Sequence, residues 1–342
     1  MTAPPLAIVR TGLVSSVGLS SPAACAAIRA KVTNPTETRF IDADGEWIMA
    51  HQVPLERPWS GRTKLVKMAA LAIEECLVDV ARDNWIDIPL LLCVAEPERP
   101  GRVSGLEDRL FDELQRELGV AFAAHSLVIP HGRVSVATAL AHARNLTNEG
   151  GASCALIAAV DSLVAWATLS GYERESRLLT ARNSNGFMPG EGAAAILVSP
   201  RPRDPEGTWI TGIGFAVEKA TITSDEPLRG DGLSAAIKRA LSDAGCGLHD
   251  LDLRVADVSG EQYYFKEAAL AVSRVLRARK SSLEIWHPAE CIGEAGAVAG
   301  LASLTVAEAA CRKAYAPGPG ILCHAANDAG HRAAVVLHNR AR

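Results

Sequence analysis

The amino-acid sequence predicts an α/β protein whose two halves repeat one structural plan. Short apolar runs of strand length alternate with longer runs of helical spacing along the whole chain. The order of these runs in the first 200 residues recurs in the remainder, as expected after an internal duplication. Long stretches of small apolar residues fit helices that are covered on both sides. We therefore expect two βαβαβ-type halves whose sheets pack around central buried helices.

The first half opens with a strand and a helix that have clear local signals. Residues 6–14 (LAIVRTGLV) read as a strand, and a helix follows over 21–32, with Ser21 at its start and Pro22 at its first position. The continuous apolar run 88–96 is typical of a strand covered on both faces. The further expected elements are a helix over 61–83, a polar helix over about 104–118, a strand over 126–130, a helix over about 133–149, a strand over 154–162 and a closing strand within 186–200.

The second half repeats this outline. The run 207–218 matches the first strand, 231–245 matches the first helix, and 252–260 and 282–288 are strand-like. Two apolar strands end in a small residue followed closely by an acid, Asp161 in the first half and Asp328 in the second. The Pro- and Arg-rich segment 199–207 lies between the halves, so we expect the boundary there, with halves at 1–200 and 201–342.

Composition excludes several functional classes. The 342 residues are 48% hydrophobic and 22% charged, with a formal net charge of −4, which argues against nucleic acid as an electrostatic partner. Eight cysteines form no CxxC pair, so we expect reduced thiols and no zinc site or other metal. Neither a signal peptide nor an apolar run of about 20 residues is evident, which predicts no membrane span and a cytoplasmic location.

The glycine-rich run HPAECIGEAGAVAG, residues 287–300, does not fit a nucleotide loop. A dinucleotide loop needs G-x-G-x-x-G directly after a strand, whereas these glycines fall at 293, 296 and 300. We expect them inside a buried central helix over 292–311, where Gly293, Ala297 and Gly300 share one face and let another backbone approach closely. No cofactor is predicted.

Four segments carry a resemblance to a known family. TGLVSSVGLS, VDSLVAWATLS, NSNGFMPGEGAAAILVSP and GEAGAVAGL are similar to motifs of the beta-ketoacyl synthase branch of the thiolase superfamily, in matching order from Ala7 to about Leu337. This resemblance implies the duplicated five-layer thiolase fold. It also implies a dimer, which we expect to form through the strand region near 154–162.

The catalytic positions that the resemblance assigns hold other residues. Ketosynthases use a Cys nucleophile at a helix N-terminus and two histidines, and the nucleophile should fall between Gly132 and Val134, where no cysteine stands. Ser259 or Gly260 takes the place of the first histidine and Glu290 that of the second, and NDAGHR (327–332) replaces the family's gating loop. The condensing reaction is therefore predicted to be absent.

Five residues remain candidates for a rewired site. His131 could serve as a base for Ser135, although Ser135 could equally bond back to a carbonyl of a buried helix. Glu261 and Glu290 could face each other as paired carboxylates, or Glu261 could simply favour the start of the next helix. His287, at a strand end, is either a displaced substitute for the lost histidine or a structural residue.

Three further features are expected to have structural or blocking roles. Glu191 in PGEGA should accept backbone hydrogen bonds beneath the site. Asp328 and His331 fit a tight turn. Tyr263 and Tyr264 stand where the family has threonines that contact the pantetheine arm, so an acyl-carrier protein or CoA thioester is a doubtful ligand.

The sequence favours a protein that works by binding. The first hypothesis is a catalytically degenerate ketosynthase-like scaffold, adaptor or chaperone, or one half of a heteromeric synthase, in a homodimer or heterodimer with a partner protein and linked to a bacterial secretion-system or biosynthetic locus. The alternative is an acyltransferase or 3-oxoacyl-[acyl-carrier-protein] synthase-like enzyme with a rewired active site. Candidate side chains converging on an open pocket would favour the enzyme, whereas a pocket filled by Arg133 or Tyr263 would favour the binder.

Overall fold

A ten-stranded mixed sheet and nine α-helices form the protein over the residues that the computed structural model describes, 4–203 and 205–340. Ten of its twelve strands build this sheet, and β2 and β3 form a separate hairpin. The strands are β1 (Leu6–Val14), β2 (Thr36–Ile41), β3 (Trp47–Ala50), β4 (Leu90–Cys93), β5 (Leu127–Ile129), β6 (Ala155–Ser162), β7 (Glu191–Ser199), β8 (Gly207–Val217), β9 (Leu253–Ala256), β10 (Glu284–Trp286), β11 (Gly320–Ala326) and β12 (His331–Arg340). The helices are α1 (Ser21–Arg29), α2 (Gly61–Cys76), α3 (Leu110–Leu118), α4 (Ser135–Asn148), α5 (Trp166–Arg174), α6 (Asp231–Ala244), α7 (Gln262–Val275), α8 (Ala289–Ile292) and α9 (Val298–Arg312).

The strand order repeats across the middle of the sheet. It runs β10-β9-β11-β12-β8-β1-β7-β6-β4-β5, so each half places its first strand at the centre and its third strand at the edge. In both halves the first and closing strands pair antiparallel, and the two outermost pairings are parallel. Leu6 opposite Ile210 and Ala7 opposite Trp209 join the halves. The predicted α/β fold with two repeated halves is confirmed.

Three apolar clusters define the layers. The largest lies between the two half-sheets and contains buried residues of α1, α4 and α9. The second packs α2 and α3 on the outer face of the first half-sheet, and the third packs α6 and α7 on the outer face of the second. Because α9 is covered on both sides, nearly all of its residues are buried. The chain therefore has five layers, helix–sheet–helix–sheet–helix.

The glycine-rich run only partly follows the prediction of a continuous helix. The central helix α9 begins at Val298, so Gly293 and Gly296 precede it and take left-handed backbone angles, with φ of +70° and +56°. A Cβ on Gly296 would lie 2.0 Å from the Asp161 carboxylate, which explains the glycine. Only Gly300 lies in the helix, where a Cβ would come within 3.1 Å of Val136. Close packing is thus correct for Gly300, and the helical assignment of the other two is wrong.

The strand expected to form the dimer interface is not at an edge. β6 pairs with β7 on one side and β4 on the other, and almost all of its residues are buried. The edges of the large sheet are β5 and β10. A strand needs a free edge to pair with another chain, so β6 cannot provide that contact. Over the described ranges, no helix is long and apolar enough to cross a membrane.

Candidate functional site

The site lies where α4 begins, between the two half-sheets. One turn of 3-10 helix, Gly132–Val134, precedes α4 and directs Arg133 into the interior, where its side chain is almost fully buried. Arg133 Nη1 donates to Glu294 Oε2 at 3.2 Å, and Ser259 Oγ donates to the same oxygen at 2.6 Å. Arg133 and Ser259 are among the positions that the ketosynthase resemblance assigns to the nucleophile and the first histidine. The structure therefore brings these positions together.

Glu294, not Glu290, completes this group. Glu290 lies half exposed at the surface, where its carboxylate is 3.4 Å from Lys31 Nζ. Glu294 is 5% exposed and follows Gly293 in the loop before α9. Glu290, which the sequence resemblance predicted at the second histidine position, lies apart from Arg133 and Ser259, and Glu294, four residues later, joins them instead.

Further charged side chains surround Arg133 and Glu294. Asp328 accepts from Arg133 Nη2 at 3.0 Å and from Arg177 Nη1 at 2.6 Å. Arg177 also binds Glu261 in a two-bond fork, with Nε to Oε1 at 2.8 Å and Nη2 to Oε2 at 2.9 Å. Two arginines and three carboxylates thus form one connected network, which we call the central ion-pair network: Arg133, Arg177, Glu261, Glu294 and Asp328.

Of two adjacent tyrosines on α7, Tyr264 covers the network. The Tyr264 ring lies 4.4 Å below the Arg133 guanidinium, and its hydroxyl donates to Asp328. Tyr263 turns away and donates to the backbone oxygen of Ala220 at 2.5 Å. The cavity left beside the network measures about 10 Å³, about the room needed by one water molecule. A second cavity that Arg133 lines measures about 20 Å³, so neither of these two spaces has the size of a substrate.

The local charges explain the protonation of the network. Burial alone would raise the pKa of Asp328, but Arg133 and Arg177 outweigh it and hold that pKa well below its usual range. Asp257, behind Arg133, shows the opposite balance: burial raises its pKa to about 6 although Arg133 opposes the shift. Burial likewise raises the pKa of Glu261 against the influence of Arg177. A guanidinium stays protonated and is no nucleophile, so Arg133 cannot do the work of a catalytic cysteine.

Ser135 and His131 do not form a nucleophile–base pair. Ser135 is fully buried, and its hydroxyl donates to the backbone oxygen of Ile129 at 3.1 Å while accepting from the backbone N–H of His131 at 3.0 Å. The His131 ring is exposed and its Nδ1 lies 3.4 Å from Thr138 Oγ1. Of the two interpretations left open for Ser135, the structure shows the bond back to a backbone carbonyl, that of Ile129 at the end of β5.

The other candidates do not join His131 and Ser135 in one site. Glu261 is occupied by Arg177 inside the central ion-pair network, whereas Glu290 pairs with Lys31 at the surface, so the proposed pair of facing carboxylates is wrong. His287 packs edge-on against Phe265 at 5.3 Å and lines a different cleft together with Glu290. Its buried Nδ1 has no hydrogen-bond partner within the described part of the chain. His331 begins β12, and its N–H donates to Asn327 Oδ1 at 2.9 Å, as a tight turn requires.

Glu191 has the structural contacts expected of it. Its carboxylate accepts from the backbone N–H of Val53 at 2.8 Å and from Ser162 Oγ at 2.7 Å, and it pairs with Lys64. The sequence did not predict that Arg99 and Arg177 are buried, because each lies in a polar segment and nothing distinguishes it from surface arginines. Arg99 joins Glu96 at 2.8 Å and Asp161 at 3.2 Å on the far side of the same small cavity.

The described residues also bear on whether the chain has a metal site. Among residues 4–203 and 205–340, no group of three or more His, Cys, Asp or Glu side chains is arranged to hold a metal ion. The acids of the central ion-pair network are already bound to arginines, which leaves few free lone pairs for another cation.

Comparison with known proteins identifies the fold of this chain. No family model matches the chain. A putative polyketide beta-ketoacyl synthase 2 of Streptomyces cyaneus is 27% identical over 145 residues, which span 41% of this chain but only 35% of that relative. The oxazolomycin ketosynthase domain OzmH KS7 of Streptomyces albus superposes over 98% of this chain and 75% of its own, with a TM-score of 0.80 at 15% identity. The chain has the ketosynthase fold.

Two further solved ketosynthase structures agree over nearly the full length. A ketosynthase in complex with its chain length factor from Xenorhabdus doucetiae gives a TM-score of 0.77 at 13% identity, covering 98% of each chain. A type II PKS acyl-carrier protein in complex with its ketosynthase bound to the hexaketide gives 0.80 at 14% identity, covering 99% of this chain and 100% of the other. The resemblance read from the sequence motifs is therefore confirmed for the fold. The doubt about an acyl-carrier protein has no support from these comparisons.

Proposed function

We propose that this ketosynthase-fold chain is a non-condensing subunit that works by associating with a second ketosynthase-fold chain. The observation that carries the proposal is the central ion-pair network. Arg133, Ser259 and Glu294 occupy the positions of the nucleophile and the two histidines, and they are bound to one another and to Asp328. A condensing enzyme needs a thiolate and an open acyl site at this point.

The network is too costly to open for a substrate. Glu294 and Asp328 would each lose a charged partner if Arg133 moved aside, and the penalty for an unpaired buried charge is several kcal/mol. The cavity of about 10 Å³ offers no alternative path for an acyl chain. Binding to a partner uses the outer surface and needs no change in the network, which is why it is the better-supported function.

The edge strand β5 is the proposed contact for the partner. Its three residues, Leu127–Ile129, are apolar, and they pair with β4 on one side only. The opposite edge, β10, carries the exposed Glu284, and a charge on an edge strand discourages pairing with another chain. One similar solved structure is a ketosynthase in complex with its chain length factor, which supports a partner of the same fold.

An acyl-carrier protein fits this proposal only as an outside contact. The complex of an acyl-carrier protein with its ketosynthase among the similar structures supports such docking on this fold. Tyr264 and the central ion-pair network occupy the space that a thioester arm would need to reach Arg133. We therefore expect a carrier protein to bind without acyl transfer to this chain.

The activity arm of the test uses the purified protein with malonyl-CoA and with a malonylated carrier protein. We expect no release of carbon dioxide above a heat-denatured sample and no acyl adduct by intact-mass spectrometry. Decarboxylation or an adduct on this chain would overturn the non-condensing assignment.

The association arm measures molecular mass by light scattering, with the chain alone and mixed with a cysteine-containing ketosynthase of the same organism. A dimer in either sample is expected, and Val128→Lys on β5 should reduce it because lysine blunts an edge strand. The matched control is Val78→Lys, at an exposed position after α2, which should leave the mass unchanged. A monomer in both samples, or equal effects of the two lysines in proteins of unchanged thermal stability, would contradict the proposal.

A further inference from the structure

A second cleft lies away from the central ion-pair network and has the features of a ligand site. Its volume is about 180 Å³, and it opens between α1, β10, α8 and the end of α9. Its apolar floor is formed by Ile28, Val306 and Cys291, all buried. None of its lining residues belongs to the central network. An apolar cavity of about 150 Å³ holds one benzene ring, so a ligand with a single ring fits.

Two aromatic rings form one wall of the cleft. Trp286 and Tyr315 stack with their centroids 6.0 Å apart and their planes at 24°. Trp286 is held by its indole N–H, which donates to Glu284 Oε2 at 3.3 Å. Both rings are only partly buried, so each presents apolar area to the cleft. Stacked rings of this kind favour a flat apolar ligand.

The charges at the rim favour an anion. The Arg29 guanidinium lies over the Tyr315 ring at 4.1 Å and makes no hydrogen bond or ion pair with another side chain across the described ranges. Lys31 and Glu290 pair at 3.4 Å and nearly cancel each other. Among the residues that line the cleft, two cations stand against one carboxylate, and Arg29 is the cation that has no carboxylate partner among the described residues. A guanidinium offers paired donors that match a carboxylate.

His287 adds a polar group to the inner end. Its ring lines the cleft, and its buried Nδ1 lacks a partner within residues 4–203 and 205–340. Buried polar nitrogens in native proteins are nearly always satisfied by protein, water or ligand. His287 is therefore a polar side chain of the cleft whose Nδ1 has no hydrogen-bond partner among the described residues.

We infer that this cleft binds a small aromatic carboxylate. The ring of the ligand packs on Trp286 and Tyr315 over the apolar floor, and its carboxylate accepts from Arg29. The site depends on none of the residues used for the proposed partner function, so the two proposals stand or fall separately.

The test uses 4-fluorobenzoate as the probe, observed by fluorine NMR on the full-length protein. The signal should broaden and shift on binding, and the neutral analogue 4-fluorobenzamide should bind about tenfold more weakly because it lacks the charge-assisted bond. Arg29→Gln should weaken 4-fluorobenzoate binding about tenfold for the same reason, and its exposed position leaves folding intact. The matched control is Lys313→Gln, which removes the same charge from an exposed residue at the end of α9 outside the cleft.

The outcomes separate the explanations. Binding of the carboxylate that is weakened by Arg29→Gln and changed at most about twofold by Lys313→Gln, as expected for screened surface charge, supports the inference. Absence of binding at millimolar probe overturns it. Equal binding of the amide and the carboxylate, or equal effects of the two variants, also overturns it, because the cleft would then be a non-specific apolar surface.

Discussion

Arg133 Nη1 lies 3.2 Å from Glu294 Oε2 at the centre of the ketosynthase fold, and both side chains are more than nine-tenths buried. This buried salt bridge lies in the region where the sequence resemblance predicts the catalytic residues of a ketosynthase. The two residues come from the starts of the two central helices, α4 and α9, one from each half of the duplicated fold. This salt bridge thus joins the two halves.

Removing Arg133 should destabilise the fold. Arg133→Met leaves Glu294 buried without its cation and takes one of two arginines from Asp328, so the free energy of unfolding should fall by about 3–5 kcal/mol. Urea denaturation measures this. The double variant Arg133→Met with Glu294→Leu removes both charges and should recover part of the loss. An unchanged stability of the single variant would show that the network contributes nothing to the fold.

No cysteine should behave as an activated nucleophile. Burial raises the pKa of the Cys25 thiol to about 11 and that of Cys311 to about 11, and the partly exposed Cys154 and Cys246 also have raised pKa values. Because the thiolate is the reactive form, iodoacetamide at neutral pH should label the native protein slowly, beginning with Cys154 and Cys246. Peptide mass spectrometry locates the label. Rapid, selective labelling of a buried cysteine would contradict this expectation.

Two buried histidines should make the protein acid-sensitive. Burial lowers the pKa of His51 to about 4 and that of His324 to about 3, against 6.5 for an ordinary histidine. Both are neutral in the folded state and take up a proton on unfolding, so their stabilising contribution is complete above about pH 6.5 and is lost as the pH falls toward 4. Each should add a slope of about 1.4 kcal/mol per pH unit over that window.

Urea denaturation across that pH range, with and without His324, measures this slope. His324→Leu should reduce this slope by the contribution of one histidine, about 1.4 kcal/mol per pH unit. His125→Gln, at an exposed position, should leave the slope unchanged. A slope that is the same in all three proteins would show that His324 is already protonated when folded.

Arg254 should be dispensable for stability. Burial lowers the pKa of this arginine, and its buried Nε has no hydrogen-bond partner in the described part of the chain. Arg254→Met should therefore keep the free energy of unfolding or raise it by about 1 kcal/mol. The comparison variant is Arg144→Met, because Arg144 is more deeply buried and also has an Nε without a partner in that part of the chain, but its Nη1 pairs with Asp243 at 2.6 Å. Its loss should therefore lower the free energy of unfolding. Comparable losses in both variants would mean that Arg254 has a water or ligand partner in solution.

The sequence by itself determined the elements and their repetition. Apolar runs such as Leu90–Cys93 and Gly320–Ala326 are buried strands because their local composition permits little else, and matching runs in matching order require matching halves. The absence of a cysteine between Gly132 and Val134 was likewise evident from the sequence alone.

The partners of Arg133 follow only from the packing of the folded chain. Glu294 and not Glu290 faces Arg133, because the chain turns at Gly293 and Gly296 in backbone conformations that a helical pattern does not reveal. Arg177 and Asp328 are 151 positions apart in the chain, and nothing in their neighbours marks them as partners. Such contacts form because packing two half-sheets around shared helices buries charges from distant segments in one place. A buried charge is costly unless it is paired with an opposite charge.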